Sequence, residues 1–302
     1  MIKVEHIGKK YRNKIAVDNL NFTVKTGKVT GFLGPNGAGK STTMRLMLGL
    51  DIGVGDTTFD GKHLREYTNP SKVVGILLEA KAFHPTRTAR SHLEVLAQAA
   101  DIPTHRVDEV LDIVGLQEVA NRHPGKFSLG MSQRLGIAAA ILGRPKYLML
   151  DEPANGLDPE GIAWLREFLR AYAGRNNGVF VSSHLLSEMS QMADNVVVIG
   201  KGRMVTETSV QKLLAGSGHS GVLVRANSIA KLERLIKEKG WKFEKENGGL
   251  KVFGVTSDEV GKAAHESGLT ILELSTQSAS LEEAFLELTA GSEEYQAVGG
   301  KK

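Results

Sequence analysis

The stretch GPNGAGKS, Gly34 to Ser41, constrains the fold of this chain more than any other. It satisfies G-x-x-x-x-G-K-[ST] and lies between an apolar run, KVTGFLG from Lys28, and a helical pattern, STTMRLMLGL. That context predicts a strand, a loop and a helix whose N-terminus faces an anion. Gly34, Gly37 and Gly39 let backbone amides approach phosphates with no Cβ in the way, and Pro35, Asn36 and Ala38 complete the cradle. Lys40 is placed to neutralise β and γ oxygens, the Ser41 hydroxyl to ligate Mg²⁺, and Thr42 to touch the α-phosphate.

A loop of this kind needs a sheet behind it, and the apolar runs supply one. VVGILLE (Val73 to Glu79), YLMLDE (Tyr147 to Glu152), GVFVSS (Gly178 to Ser183) and NVVVIG (Asn195 to Gly200) join KVTGFLG as short buried strands separated by helical segments. That alternation predicts an α/β domain with a parallel sheet covered on both faces, from residue 1 to about 215. HLEVLAQAA and VDEVLDIVGL repeat apolar residues at helical spacing with no strand between them, which predicts a helical insert within about 85–135. After the linker LLAGSGHSG the order becomes strand, helix, two strands, helix, strand. This predicts a small α+β ferredoxin-like domain over about 220–290. SLEEAFLELT closes it with Ser280 and Glu283 as a capping box, and residues 291–302 read as a disordered tail.

YLMLDEP sets two carboxylates at the carboxyl end of an apolar strand, the edge of an open parallel sheet where ligands bind. There Asp151 would hold Mg²⁺ through water, and Glu152 would orient and deprotonate an attacking water. Composition narrows the chemistry further. With no cysteine, disulfides, thiolate metal sites and cysteine nucleophiles are excluded. No apolar run reaches the length of a membrane span and the first residues lack a secretory core, so a soluble, non-exported chain is expected. The net charge of +4 is spread along 302 residues, and no nucleic-acid partner is expected from it.

With these residues in place, the chain resembles the ATP-binding subunits of ABC transporters over about residues 1–210: GPNGAGKST, FSLGMSQR, YLMLDEP, NGLDP and SSH follow in the family's order. The resemblance implies a P-loop NTPase fold, ATP and Mg²⁺ as ligands, and ATP hydrolysis. It implies pairing with itself or a second ATPase subunit around two ATP molecules, and separate transmembrane permease subunits that hold it at the inner face of the cell membrane, on the cytoplasmic side. It casts Tyr11 as the aromatic stacked on adenine, Glu79 as the Q-loop residue near Mg²⁺ in place of the usual glutamine, and Asp158 as the D-loop carboxylate between two sites. His184 would contact the γ-phosphate and attacking water. Ser128 and the Gly130 amide would meet the ATP of the partner subunit, while Leu129 and Met131 replace a glycine and a glutamine of the LSGGQ signature. This variant, with Glu79 and NGLDP, resembles an exporter branch that includes bacitracin- and lantibiotic-resistance ATPases and multidrug efflux systems. Residues 81–96 are the candidate segment for docking the permease. A soluble ABC ATPase acting on nucleic acid or ribosomes, or an ATP-binding regulator without turnover, remain alternatives. The first would normally show two cassettes or a basic arm, and Glu152 with His184 argues against the second.

Overall fold

The computed structural model describes residues 1–183, 186–216, 221–246, 248–277 and 281–289. The chain divides between Ser209 and Val210 into two compact units. The first begins with β1 (Ile2–Tyr11) and β2 (Lys14–Val24), an antiparallel pair whose register is broken by irregularities between Val4 and Lys10. Next come β3 (Lys28–Leu33), α1 (Lys40–Met47) and β4 (Val54–Phe59). β4 returns antiparallel to β1, which makes a three-stranded sheet in the order β2-β1-β4.

β5 (Val74–Leu77) leads into three helices, α2 (Ala89–Ala99), α3 (His105–Ile113) and α4 (Leu129–Ile141). No strand intervenes between α2 and α4, and α4 runs six residues past the 135 at which the insert was expected to end. The helix starts have local causes: Thr88 caps α2 by accepting from the Ser91 amide, and Ser128 caps α4 by accepting from the Met131 amide. β6 (Tyr147–Leu150), α5 (Pro159–Gly174), β7 (Gly178–Ser183), α6 (Leu186–Met192), β8 (Asn195–Gly200) and β9 (Arg203–Ser209) complete the unit.

The main sheet has the order β5-β6-β7-β3-β8-β9. Its first five strands are parallel and β9 closes one edge antiparallel to β8. β6 and β7 are buried at every residue, the signature of a strand covered on both faces. The rings of Phe22, Phe32 and Phe180 meet with centroids 5.0 to 5.8 Å apart, so the core joins β2 of the antiparallel sheet to β3 and β7 of the parallel one. This packing brings the carboxyl ends of β3 and β6 to the same side, with β7 between them in the sheet.

The second unit contains α7 (Val210–Gly216), β10 (Gly221–Ala226), α8 (Ile229–Glu238), β11 (Lys242–Glu246), β12 (Gly249–Phe253), α9 (Ser257–Glu266), β13 (Ile271–Gln277) and α10 (Leu281–Thr289). Its four strands are antiparallel in the order β11-β12-β10-β13. Val222, Val224, Leu250 and Val252 from the sheet pack with Leu232, Ile236, Val260 and Ala264 from α8 and α9. Thr256 and Glu259 form a reciprocal capping box at α9. Ser280 and residues 291–302, for which a cap and a tail were expected, lie outside the described residues.

Candidate active site

The loop after β3 turns on two glycines. Gly37 and Gly39 have φ of +81° and +101°, conformations that a side chain disfavours, and a Cβ at Gly39 would lie 2.5 Å from the Ala16 carbonyl oxygen. Gly39 is also the residue before α1, and no side chain caps that helix, so its first amides are left to a ligand or solvent. Lys40 is buried, with its ammonium donating to the Gly34 carbonyl at 2.7 Å and lying 3.8 Å from a Glu152 carboxylate oxygen. Burial pushes its pKa below the ordinary lysine value, against the opposing pull of Glu152 and Asp151.

Ten of the residues expected from the sequence line one open pocket of about 420 Å³: Tyr11, Pro35, Asn36, Gly37, Gly39, Lys40, Ser41, Thr42, Asp151 and Glu152. Gly34 and Ala38 stand behind it, both buried, where they shape the loop rather than line it. Lys14 and Ala16, from the start of β2, also line the pocket; their only sequence signal is proximity to Tyr11. Tyr11 is 47% exposed and its hydroxyl donates to Asp51, which Arg45 also holds, so the ring is tethered at its tip, with the Lys9 ammonium 4.8 Å from the ring centroid.

The two carboxylates are fixed from β7. The Ser182 hydroxyl donates to Asp151 Oδ1 and accepts from the Glu152 amide at 2.9 Å. Glu152 has φ of +48°, a left-handed conformation that ends β6 and turns its side chain out of the strand pattern. Its carbonyl accepts from the side-chain amide of Gln133, a buried residue of α4. Ser182 and Gln133 fall inside SSH and FSLGMSQR, yet residue type gives neither a role at the carboxylates, since a serine in an apolar strand and a glutamine in a helix are common.

The remaining expected residues are placed elsewhere. Ser128 and Gly130 open α4, and Asp158 caps α5 by accepting from the Gly161 amide at 2.8 Å. These two helix starts touch: a Cβ on Gly130 would lie 2.9 Å from the Gly156 carbonyl oxygen, and one on Gly156 would lie 2.4 Å from Leu129 Cδ2. Glu79 is exposed two residues beyond β5 and does not line the pocket. His184 lies outside the described residues.

The fit to Mg²⁺ follows from the donors. Among the described residues, no group of three or more His, Asp or Glu side chains could cage an ion. Ser41 and Asp151 both line the pocket, and a hydroxyl and a carboxylate are hard oxygen donors of the kind that Mg²⁺ takes when substrate phosphates supply the rest.

Comparison with known proteins agrees with this geometry. Residues 17–155 match the family described as ABC transporter, and residues 220–282 match one described only as a domain of unknown function. The bacitracin transport ATP-binding protein of Bacillus licheniformis is 35% identical, over 96% of this chain and 98% of that protein. This chain is an ABC transporter ATP-binding protein. The ABC ATPase is equally similar, at 35%, to the lantibiotic transport ATP-binding protein of Streptococcus pyogenes, over 68% of this chain and 90% of that one. A solved ATP-binding subunit of an ABC transporter superposes with a TM-score of 0.65 at 25% identity, over 71% of this chain and 92% of that structure. The dimeric cassette MJ0796 bound to ADP and Pi shares the fold, with a TM-score of 0.64 at 22% identity over 70% and 99% of the two chains. The ABC ATPase therefore binds and hydrolyses ATP. Among its described residues no helix is long and apolar enough to cross a membrane.

Proposed function

We propose that this ABC ATPase powers export of a peptide antibiotic or similar amphipathic compound through separate membrane subunits, bound to them at the inner face of the cell membrane. The observation that carries the reading is the resemblance to a bacitracin transport protein along nearly the whole of both chains, the second unit included. That second unit, ferredoxin-like in our reading, belongs to the working protein and is not an unrelated fusion.

At the site, Gly37 and Gly39 open the backbone to the phosphates, Lys40 neutralises the β and γ oxygens, and Thr42 touches the α-phosphate. Tyr11 takes the adenine. Ser41 and Asp151 would hold Mg²⁺, which would supply positive charge against the phosphates. Glu152 accepts a proton from water as its oxygen attacks the γ-phosphorus in line with the departing ADP oxygen, and His184 steadies that water and phosphate. Ser128 and the Gly130 amide serve the ATP of a second ATPase subunit, identical or paired, with Asp158 at the seam between the two sites. Glu79, exposed beyond β5, would offer a further oxygen to Mg²⁺.

Two experiments test this. Glu152→Gln should abolish turnover while keeping ATP bound and favouring a stable dimer on size exclusion; a mutant that still hydrolyses ATP overturns the assignment of the base. Purification of the native protein from detergent-extracted membranes should bring a multi-span subunit with it, and recovery of ribosomes or DNA instead overturns the export reading.

A further inference from the structure

Glu152 carries a conformational cost that its neighbours must meet. A side chain at φ +48° is uncommon, and the residue before a proline, here Pro153, is steered towards extended backbone. Such a residue persists only where its surroundings over-determine it. Two side chains do so, one on each side of the residue. Ser182 takes the amide of Glu152 and Gln133 holds its carbonyl at 3.1 Å, while the Asn155 amide, 3.2 Å from the same carbonyl, closes the turn.

Gln133 is the informative partner, because stability alone does not explain it. It is 4% exposed, and its Oε1 is buried with no hydrogen-bond partner among the described residues. An orphaned acceptor is costly, so an apolar side chain of similar size would suit the core better. What an apolar side chain lacks is the N–H that reaches Glu152.

We infer that Gln133 is a positioning residue for hydrolysis, holding the carboxylate of Glu152 on the attacking water by fixing the left-handed turn beneath it. This rests on the reading of Glu152 as the base. Gln133 lies five residues along α4 from Ser128, so the helix whose start serves the partner's ATP also steadies the base of its own chain. α4 thereby joins the two sites through one rigid element.

The test is Gln133→Met, close in size and unable to donate, compared with wild type and Glu152→Gln. The expected result is a fall in kcat of about ten- to a hundredfold, the scale of a misplaced reacting group. KM for ATP should stay within about twofold and the melting temperature should hold or rise, since the orphaned acceptor is gone. The variant should also retain ATP rather than ADP when isolated after incubation with Mg·ATP. Wild-type kcat in Gln133→Met beside an inactive Glu152→Gln overturns the inference and leaves the base in place. Parallel losses of ATP affinity, melting temperature and kcat overturn it too, because they mark a packing role. Turnover by Glu152→Gln instead removes the base assignment on which the inference stands.

Discussion

The two units of this chain differ in where they break the ordinary rules of folding. All nine non-glycine residues with positive φ among the described residues, from His6 to Lys201, belong to the first unit. So do all the buried polar or charged side chains of the described residues, Lys40, Arg106, Gln133 and Ser182 among them. Among the described residues of the second unit, left-handed backbone falls only on glycines such as Gly240, Gly254 and Gly268, each at an open turn, and the buried core residues are apolar. A region that obeys local preference throughout holds its shape cheaply, whereas one that departs from it is held by specific partners, and such departures gather at functional sites. The difference agrees with ATP chemistry in the first unit, where the pocket of Lys40, Asp151 and Glu152 lies.

The largest expected effect tests the buried cation of the phosphate loop. Lys40→Ala removes a buried ammonium anchored on the Gly34 carbonyl at the floor of the loop, and should weaken ATP binding at least about tenfold by titration calorimetry. Undiminished affinity would count against the cradle. Next comes a matched pair of glycines. Gly39→Ala places a methyl 2.5 Å from the Ala16 carbonyl at φ +101°, so the loop must shift, with an expected stability loss of about 1–3 kcal/mol and a clear loss of ATP affinity. Gly254→Ala adds a methyl in open space at φ +72°, and should cost about 1–2 kcal/mol in urea unfolding with ATPase activity unchanged. If the second substitution reduced activity as the first does, the division of labour between the units would be wrong.

A smaller effect depends on pH. Burial alone would push the Asp60 carboxyl up, but hydrogen bonds from Lys146, the N-terminal ammonium and Tyr147 outweigh it and hold its pKa at about 2. A carboxylate with a depressed folded pKa stabilises the protein above its ordinary pKa and loses that contribution as pH falls through its folded value. Asp60→Asn should therefore cost about 1 kcal/mol at pH 7, the group being one-third exposed and screened, with the difference from wild type narrowing below about pH 4. In the second unit Glu233 also has a lowered pKa, from hydrogen bonds it accepts from Lys237 and Lys245, but it sits at the surface, and Glu233→Gln should leave the unfolding midpoint close to that of wild type at pH 4 and at pH 7 alike.

Legibility followed the same division of cause. β3, β6, β7 and β8 were visible because strands buried on both faces read as continuous apolar runs. β6 stops at Leu150, not Glu152, because the acidic residues leave the strand at the left-handed turn, which has no composition of its own. The sheet of β1, β2 and β4 is hidden for a related reason. His6 and Asn19 have φ of +53° and +52°, and these irregularities interrupt the period of two that would mark a strand. The phosphate loop and both carboxylates could be read from residue type alone, since backbone access and charge are properties of single residues. Gln133 and Ser182 could not, because their roles lie in which atoms they reach across the fold.

The smallest expected effect concerns Leu129, which replaces a glycine in the signature. From sequence it need not touch ATP, and Leu129→Gly should leave hydrolysis largely intact. The structure adds a constraint on where that tolerance ends. Leu129 is 45% exposed yet leans on Gly156, whose φ is +76° and where a Cβ would fall 2.4 Å from the leucine side chain. Bulk at 129 therefore requires glycine at 156, and the loop that carries Asp158 is held against the start of α4 by that contact. Leu129→Gly should lower stability by about 1 kcal/mol, the usual cost of glycine in a helix, and change kcat by less than about threefold. Gly156→Ala should do more harm, and adding Leu129→Gly to it should recover part of the loss. The cycle measures the contact directly, because the φ strain at 156 is the same in both backgrounds and cancels. Strict additivity of the two changes would mean that the leucine is a bystander, and that the signature tolerates it only because the helix start needs backbone amides and the Ser128 hydroxyl.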